Sequence, residues 1–241
     1  MTPVAATTAT PIVALDVASA REALELVRQL GDGCRFYKIG SELFTREGPS
    51  VVKALRAEGC DVFLDLKFHD IPNTVGESAR AAASLGVRLL TAHASGGGGM
   101  LRAAVEGAGA GCGVLGVTVL TSLDAASLGA AWGREDVLVE HEVLRLAGVA
   151  AASGAHGIVC SGREAGPVRS AFGDQLALLV PGIRLAGGAS HDQARTSTPE
   201  DAARAGARYL VLGRAVTGAA DPVAAMAAVN EALAVSAGGR R

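Results

Sequence analysis

The chain has 241 residues, 49% hydrophobic and 19% charged, with a formal net charge of −2. That balance excludes a disordered chain and a basic nucleic-acid surface, and Trp132, Tyr37 and Tyr209 are too few for base-stacking platforms. The length suits one α/β barrel or two small domains, and the default partner is a small soluble molecule.

Residues 1–10, MTPVAATTAT, carry neither a basic leader nor an apolar h-region, and they are expected to be a frayed start. No apolar run is long enough to cross a bilayer, so a cytoplasmic location is expected. From there short apolar, β-branched runs alternate with Ala/Leu-rich stretches of helical spacing. Strands are predicted at 11–17, 35–40, 61–68, 88–95, 114–120, 157–161, 176–183 and 209–215. Between them SAREALELVRQL, PSVVKALRAEG, TVGESARAAASLG, REDVLVEHEVLRLAGVAAASG and TPEDAARAG read as helices. The last opens with Thr198 as N-cap and Pro199 at the first helical position. The glycine runs at 31–33, 95–99 and 107–113 read as turns or helix ends.

Eight β-then-α units without a linker predict a single (β/α)₈ TIM barrel over residues 11–235, with a loose tail at 236–241. An open doubly wound sheet is the alternative, but G-x-G-x-x-G is missing after ALDV. In a barrel the site collects at the C-terminal strand ends, which here are Asp16, Lys38, Asp65 with Lys67, His93, Thr118 to Ser122, Ser161, Arg184, and Gly213 with Arg214.

Of 22 basic residues only Lys38, Lys53 and Lys67 are lysine, so each invites the question of what arginine could not supply. Asp65 and Lys67 are two apart and share a strand face, with Lys38 on the neighbouring strand and Asp70 three residues beyond Lys67. Alternating carboxylates and ammoniums stabilise one another's charged forms in a site; a solvated ion-pair cluster at the barrel mouth is the plainer alternative. Lys53, on an amphipathic helix, reads as surface.

The last two strands place glycines, Arg184, Gln193 and Arg214 where barrels hold phosphate. The loop from Leu185 to Ser190 suits a lid or an ordinary flexible connection. His69, His93, His141, His156 and His191 form no H-x-H or H-E-x-x-H pair, so no catalytic metal is expected, and His93 reads as a hydrogen-bonded residue at the mouth. Cys34, Cys60, Cys112 and Cys160 form no C-x-x-C pair and read as reduced thiols.

DLKFHDIPNTV, preceded by ALDV and FYKIG and followed by TAHASGG, VTVLTS, PGIR with Gln193, and VLGRAVTGAADP, closely resembles the orotidine 5′-phosphate decarboxylases. The resemblance runs in consistent order from about Val13 to Pro222, with Phe68 where leucine is frequent. It implies loss of CO₂ from carbon 6 of orotidine monophosphate, giving uridine monophosphate, without cofactor or metal, in a homodimer with shared sites. By the same resemblance Lys67 is the proton donor, with Lys38, Asp65 and Asp70 completing the charge network. Asp16 and Lys38 hold the ribose, Thr121 and Ser122 the pyrimidine edge, and Arg184, Gln193, Gly213 and Arg214 the phosphate. Asp70, Ile71 and Thr74 contribute to substrate binding, with Asp70 and Thr74 reaching into the neighbouring subunit's site. Two rivals remain: a magnesium-associated barrel enzyme acting on a sugar phosphate, and a non-catalytic barrel that senses pyrimidine monophosphates.

Overall fold

The computed structural model describes residues 9–185 and 196–238, so Gln193, His191 and the loop residues 186–190 lie outside the described residues. Eight parallel strands close into a barrel in sequence order: β1 (Thr10–Ala14), β2 (Phe36–Gly40), β3 (Asp61–Phe68), β4 (Leu89–His93), β5 (Gly113–Val117), β6 (Gly157–Val159), β7 (Ala177–Val180) and β8 (Tyr209–Leu212). All eight predicted strands are present, and no open-sheet edge remains. Most end earlier than their apolar runs suggest. Gly213 is therefore a cap and Arg214 the first residue of a short helix, and the chain from Thr118 to Ser122 is loop.

The helices wrapping the barrel are α1 (Ala20–Leu30), α2 (Ser41–Glu47), α3 (Pro49–Ala57), α4 (Pro72–Ser84), α5 (Gly97–Ala108), α6 (Ala125–Trp132), α7 (Val139–Ala152), α8 (Gly162–Phe172), α9 (Pro199–Arg204), α10 (Arg214–Thr217) and α11 (Pro222–Gly238). Local packing and capping set the element boundaries. The glycine run at 95–99 marks a helix end, as expected: Gly97 opens α5, in which Met100, Leu101, Ala104 and Ala108 bury a continuous stripe. Ser161 caps α8 in a reciprocal capping box with Glu164 instead of facing the mouth. At the chain's ends Ala9 is already buried and α11 runs to Gly238, so the barrel takes in part of both expected tails. Thr198 caps α9 with Pro199 at its start, as expected.

Period-two alternation explains the barrel's contents. Ile12, Ala14, Phe36, Phe63, Leu89, Leu115, Leu179, Tyr209 and Val211 form the inner core. A second, larger core lies between strands and helices. Two residues further along four neighbouring strands the inward positions turn polar: Asp16 after Ala14, Lys38 after Phe36, Asp65 after Phe63 and Thr91 after Leu89. An apolar floor thus carries a polar upper layer.

Helices α4 and α5 approach closely because both carry glycine at the crossing. A Cβ on Gly107 would lie 2.1 Å from the Gly76 carbonyl oxygen, a backbone atom that cannot swing aside. Gly107→Ala is expected to destabilise the fold by about 1–3 kcal/mol through overpacking. Thermal unfolding checks it: the midpoint drops, whereas Gly166→Ala, whose added Cβ meets nothing within 4 Å, leaves it unchanged or raised. Since α4 begins directly after the exposed HDI segment, this crossing also fixes where that segment projects.

Candidate active site

At the C-terminal end of the barrel a cavity of about 280 Å³ is lined by both halves of the expected site. Asp16, Lys38, Asp65 and Lys67 stand on one side, Thr121 on the rim, and Arg184, Gly213 and Arg214 on the other. Phe63, Val117, Val119, Leu179 and Val211 make the wall between them apolar. Lys38 and Asp65, largely buried beside that apolar lining, are screened less than the more open Asp16 and Lys67.

The four charges from β1, β2 and β3 resolve into two ion pairs. Lys38 Nζ lies 2.9 Å from Asp16 Oδ1, and Lys67 Nζ lies 2.8 Å from Asp65 Oδ2. Burial is uneven: the Lys38 and Asp65 side chains are 11% and 13% exposed, against 37% for Lys67. Both ammoniums line the cavity, and that of Lys67 is the more open. Gly40 makes room for the first pair, since a Cβ there would come 3.0 Å from Lys38 Nζ.

The second pair stands on an irregular strand. The β3–β4 register shifts between Leu64 and Phe68, and Lys67 has φ of 52°, in the left-handed region that lysine rarely adopts. Thr91, fully buried on β4, accepts a 2.9 Å hydrogen bond from the Lys67 backbone N–H and donates one of 2.9 Å to Asp65 Oδ1. Sequence reasoning missed Thr91: a threonine inside a strand is ordinary, and only the pairing of β3 with β4 exposes its partners.

Asp70 does not join the array within one chain. It is exposed past the end of β3, its carboxylate accepts from the Ile71 N–H at 2.6 Å, and it makes no ion pair among the described residues. Residues 69–74 are all exposed, Ile71 by 66%. Asp70, Ile71 and Thr74 stand outside the cavity lining, and so does the exposed Ser122 beside Thr121. On the wall beyond β7 and β8 the Arg184 guanidinium donates to the Ile183 carbonyl at 3.0 Å. Its buried Nε has no partner among the described residues.

Lys53 is exposed on α3, and the four cysteines are buried free thiols. Among the described residues no three His, Cys, Asp or Glu side chains cluster to hold a metal ion, and no helix is long and apolar enough to cross a membrane.

His93 packs its ring 5.2 Å from that of His69 beside the Lys67 pair. Burial, then His69 and Lys67, push its titration below the ordinary 6.5, with Asp65 opposing. The unfolded chain therefore takes up this proton at a higher pH than the fold does, and stability is lost as pH drops through 6.5. Unfolding midpoints should fall on acidification from neutral pH through this window, and fall less in His93→Asn.

A model of the orotidine 5′-phosphate decarboxylase / HUMPS family matches residues 10–229. The chain is 50% identical over 220 residues to the orotidine 5′-phosphate decarboxylase of Anaeromyxobacter sp. (strain K), covering 91% of this chain and 96% of that one. It is 49% identical over 226 residues to the enzyme of that name from Nitrosococcus oceani, covering 91% and 95%. The crystal structure of orotidine 5′-phosphate decarboxylase from Lactobacillus acidophilus superimposes with a TM-score of 0.82 at 36% identity, covering 93% of this chain and 99% of the other. With a closed barrel, a paired lysine and aspartate at its mouth and these relatives along nearly its whole length, the chain belongs to the orotidine 5′-phosphate decarboxylase / HUMPS family.

Proposed function

We propose that the chain decarboxylates orotidine 5′-monophosphate to uridine 5′-monophosphate, the last step of pyrimidine nucleotide synthesis, with Lys67 as the acid that protonates carbon 6. The observation that carries this reading is the Lys67 ammonium held 2.8 Å from Asp65 at the edge of an apolar-walled cavity.

In the reaction the C6–carboxylate bond breaks, CO₂ departs, and the electron pair stays on carbon 6 in the plane of the ring. No carbonyl is placed to delocalise it, so a fixed positive charge must stabilise it directly. The Lys67 ammonium supplies that charge at one point, gives its proton to carbon 6, and regains one from solvent. Guanidinium holds its protons too tightly for this step. Asp65 anchors the lysine and faces the departing carboxylate. Asp16 and Lys38 hold the ribose, and Thr121 with Ser122 takes the pyrimidine edge. Arg184, Gly213 and Arg214, with Gln193 from the segment outside the described residues, hold the phosphate. Binding energy gathered at that remote phosphate aligns the ring over Lys67.

The active form in this reading is a homodimer. The exposed segment with Asp70, Ile71 and Thr74 fits a place in the neighbouring subunit's site, where Asp70 completes the charge network. The reading includes a cytoplasmic enzyme, since four buried free thiols suit a reducing compartment.

The test is direct: protein is mixed with orotidine 5′-monophosphate, with and without EDTA, and ultraviolet absorbance is followed. Conversion to uridine 5′-monophosphate at a rate EDTA leaves unchanged is expected. Unconverted substrate under excess protein would overturn the assignment, and activity lost to EDTA would favour the magnesium-associated sugar-phosphate enzymes.

A further inference from the structure

Between Leu64 and Phe68 strand β3 advances four residues while its partner β4 advances only from Leu90 to Ala92. The extra length forms a bulge, and Lys67 sits in it at φ of 52°. A backbone N–H there has left the regular ladder and, in this half-buried place, needs another acceptor. Thr91 provides it. Its hydroxyl has a single proton and two lone pairs, and both kinds of capacity are committed: a lone pair to the Lys67 N–H at 2.9 Å and the proton to Asp65 Oδ1 at 2.9 Å. Asp65 is left with Oδ2 toward Lys67 Nζ at 2.8 Å.

We propose that Thr91 is the positioning residue of the decarboxylation site, its one hydroxyl locking both the strained backbone from which Lys67 projects and the rotamer of the carboxylate that anchors the Lys67 ammonium. The inference rests on the decarboxylase reading. Thr91 is fully buried and absent from the cavity lining, so it acts through the pair and does not touch the substrate. The device explains how lysine occupies a left-handed position that glycine or asparagine would fill more easily: a side chain from the next strand holds it there.

Thr91→Val keeps the shape and removes the hydroxyl, while Thr91→Ser keeps the hydroxyl and removes the methyl. For orotidine 5′-monophosphate, Thr91→Val should lower kcat about 10- to 100-fold, the scale of a misplacement near 1 Å. KM and the affinity for uridine 5′-monophosphate should change less than about threefold, because the ligand-binding wall is untouched. Thr91→Ser should restore kcat to within a few-fold of wild type. Circular dichroism establishes that each variant is folded, and Thr91→Ala takes the place of Thr91→Val should that variant not fold. Wild-type kcat in the hydroxyl-free variant, or equal losses in the serine and valine variants, would overturn the role of Thr91. A wild-type protein that leaves orotidine 5′-monophosphate unconverted would instead overturn the reading on which it rests.

Discussion

Lys67→Ala is expected to lower kcat for orotidine 5′-monophosphate on the order of 10⁴-fold or more, since in the proposed mechanism it removes a proton donor, worth roughly 10²–10⁴, and a stabilising charge, worth roughly 10²–10³. The fold should survive, because the side chain is 37% exposed and the backbone bonds of β3 do not depend on it. Affinity for uridine 5′-monophosphate should change little, as in the proposed binding mode phosphate and ribose are held by other residues. Lys67→Arg should not rescue turnover: it restores a cation but not a transferable proton. Steady-state kinetics with nucleotide titration checks all three statements, and near-normal kcat in Lys67→Ala would remove Lys67 from the chemistry.

Asp65→Asn should cost on the order of 10²–10³ in kcat, the usual penalty for losing one preorganised electrostatic partner. Its carboxylate bridges Lys67 Nζ at 2.8 Å and the Thr91 hydroxyl at 2.9 Å, so the amide loses the ion pair while keeping much of the shape. The departing carboxylate carries the same charge as Asp65, so neutralising this position should not weaken substrate binding. The loss falls on kcat with KM unchanged or lowered. A variant whose defect is entirely in KM would place Asp65 among the binding residues only.

Lys38, Asp65 and Lys67 were legible in the sequence because strand period and lysine scarcity are local signals. A strand shows only two faces, and a chain that otherwise uses arginine marks the positions where it does not. The barrel itself was legible for a similar reason, each β-then-α unit declaring its own periodicity. Thr91 was not legible. Its role depends on a register shift between two strands, and nothing in TAHAS reports how β3 is paired. The glycine runs flanking α5 mark its ends, but its extent depends on packing of a buried stripe that glycines at its start argue against locally. Asp70 looked like a member of one charge array because spacing along a chain does not show where the strand ends. Past Phe68 the backbone leaves the barrel and carries Asp70 into solvent.

In the proposed mechanism Lys67 exchanges a proton with carbon 6 across a stabilised carbanion, and by microscopic reversibility that step also runs from the product. Uridine 5′-monophosphate incubated with the protein in D₂O should slowly exchange its C6 hydrogen for deuterium, seen as loss of that proton NMR signal. Lys67→Ala, saturated with the same nucleotide, should show no exchange above the protein-free control. Exchange at the wild-type rate in Lys67→Ala, or none in a wild-type protein that decarboxylates orotidine 5′-monophosphate, would contradict the account.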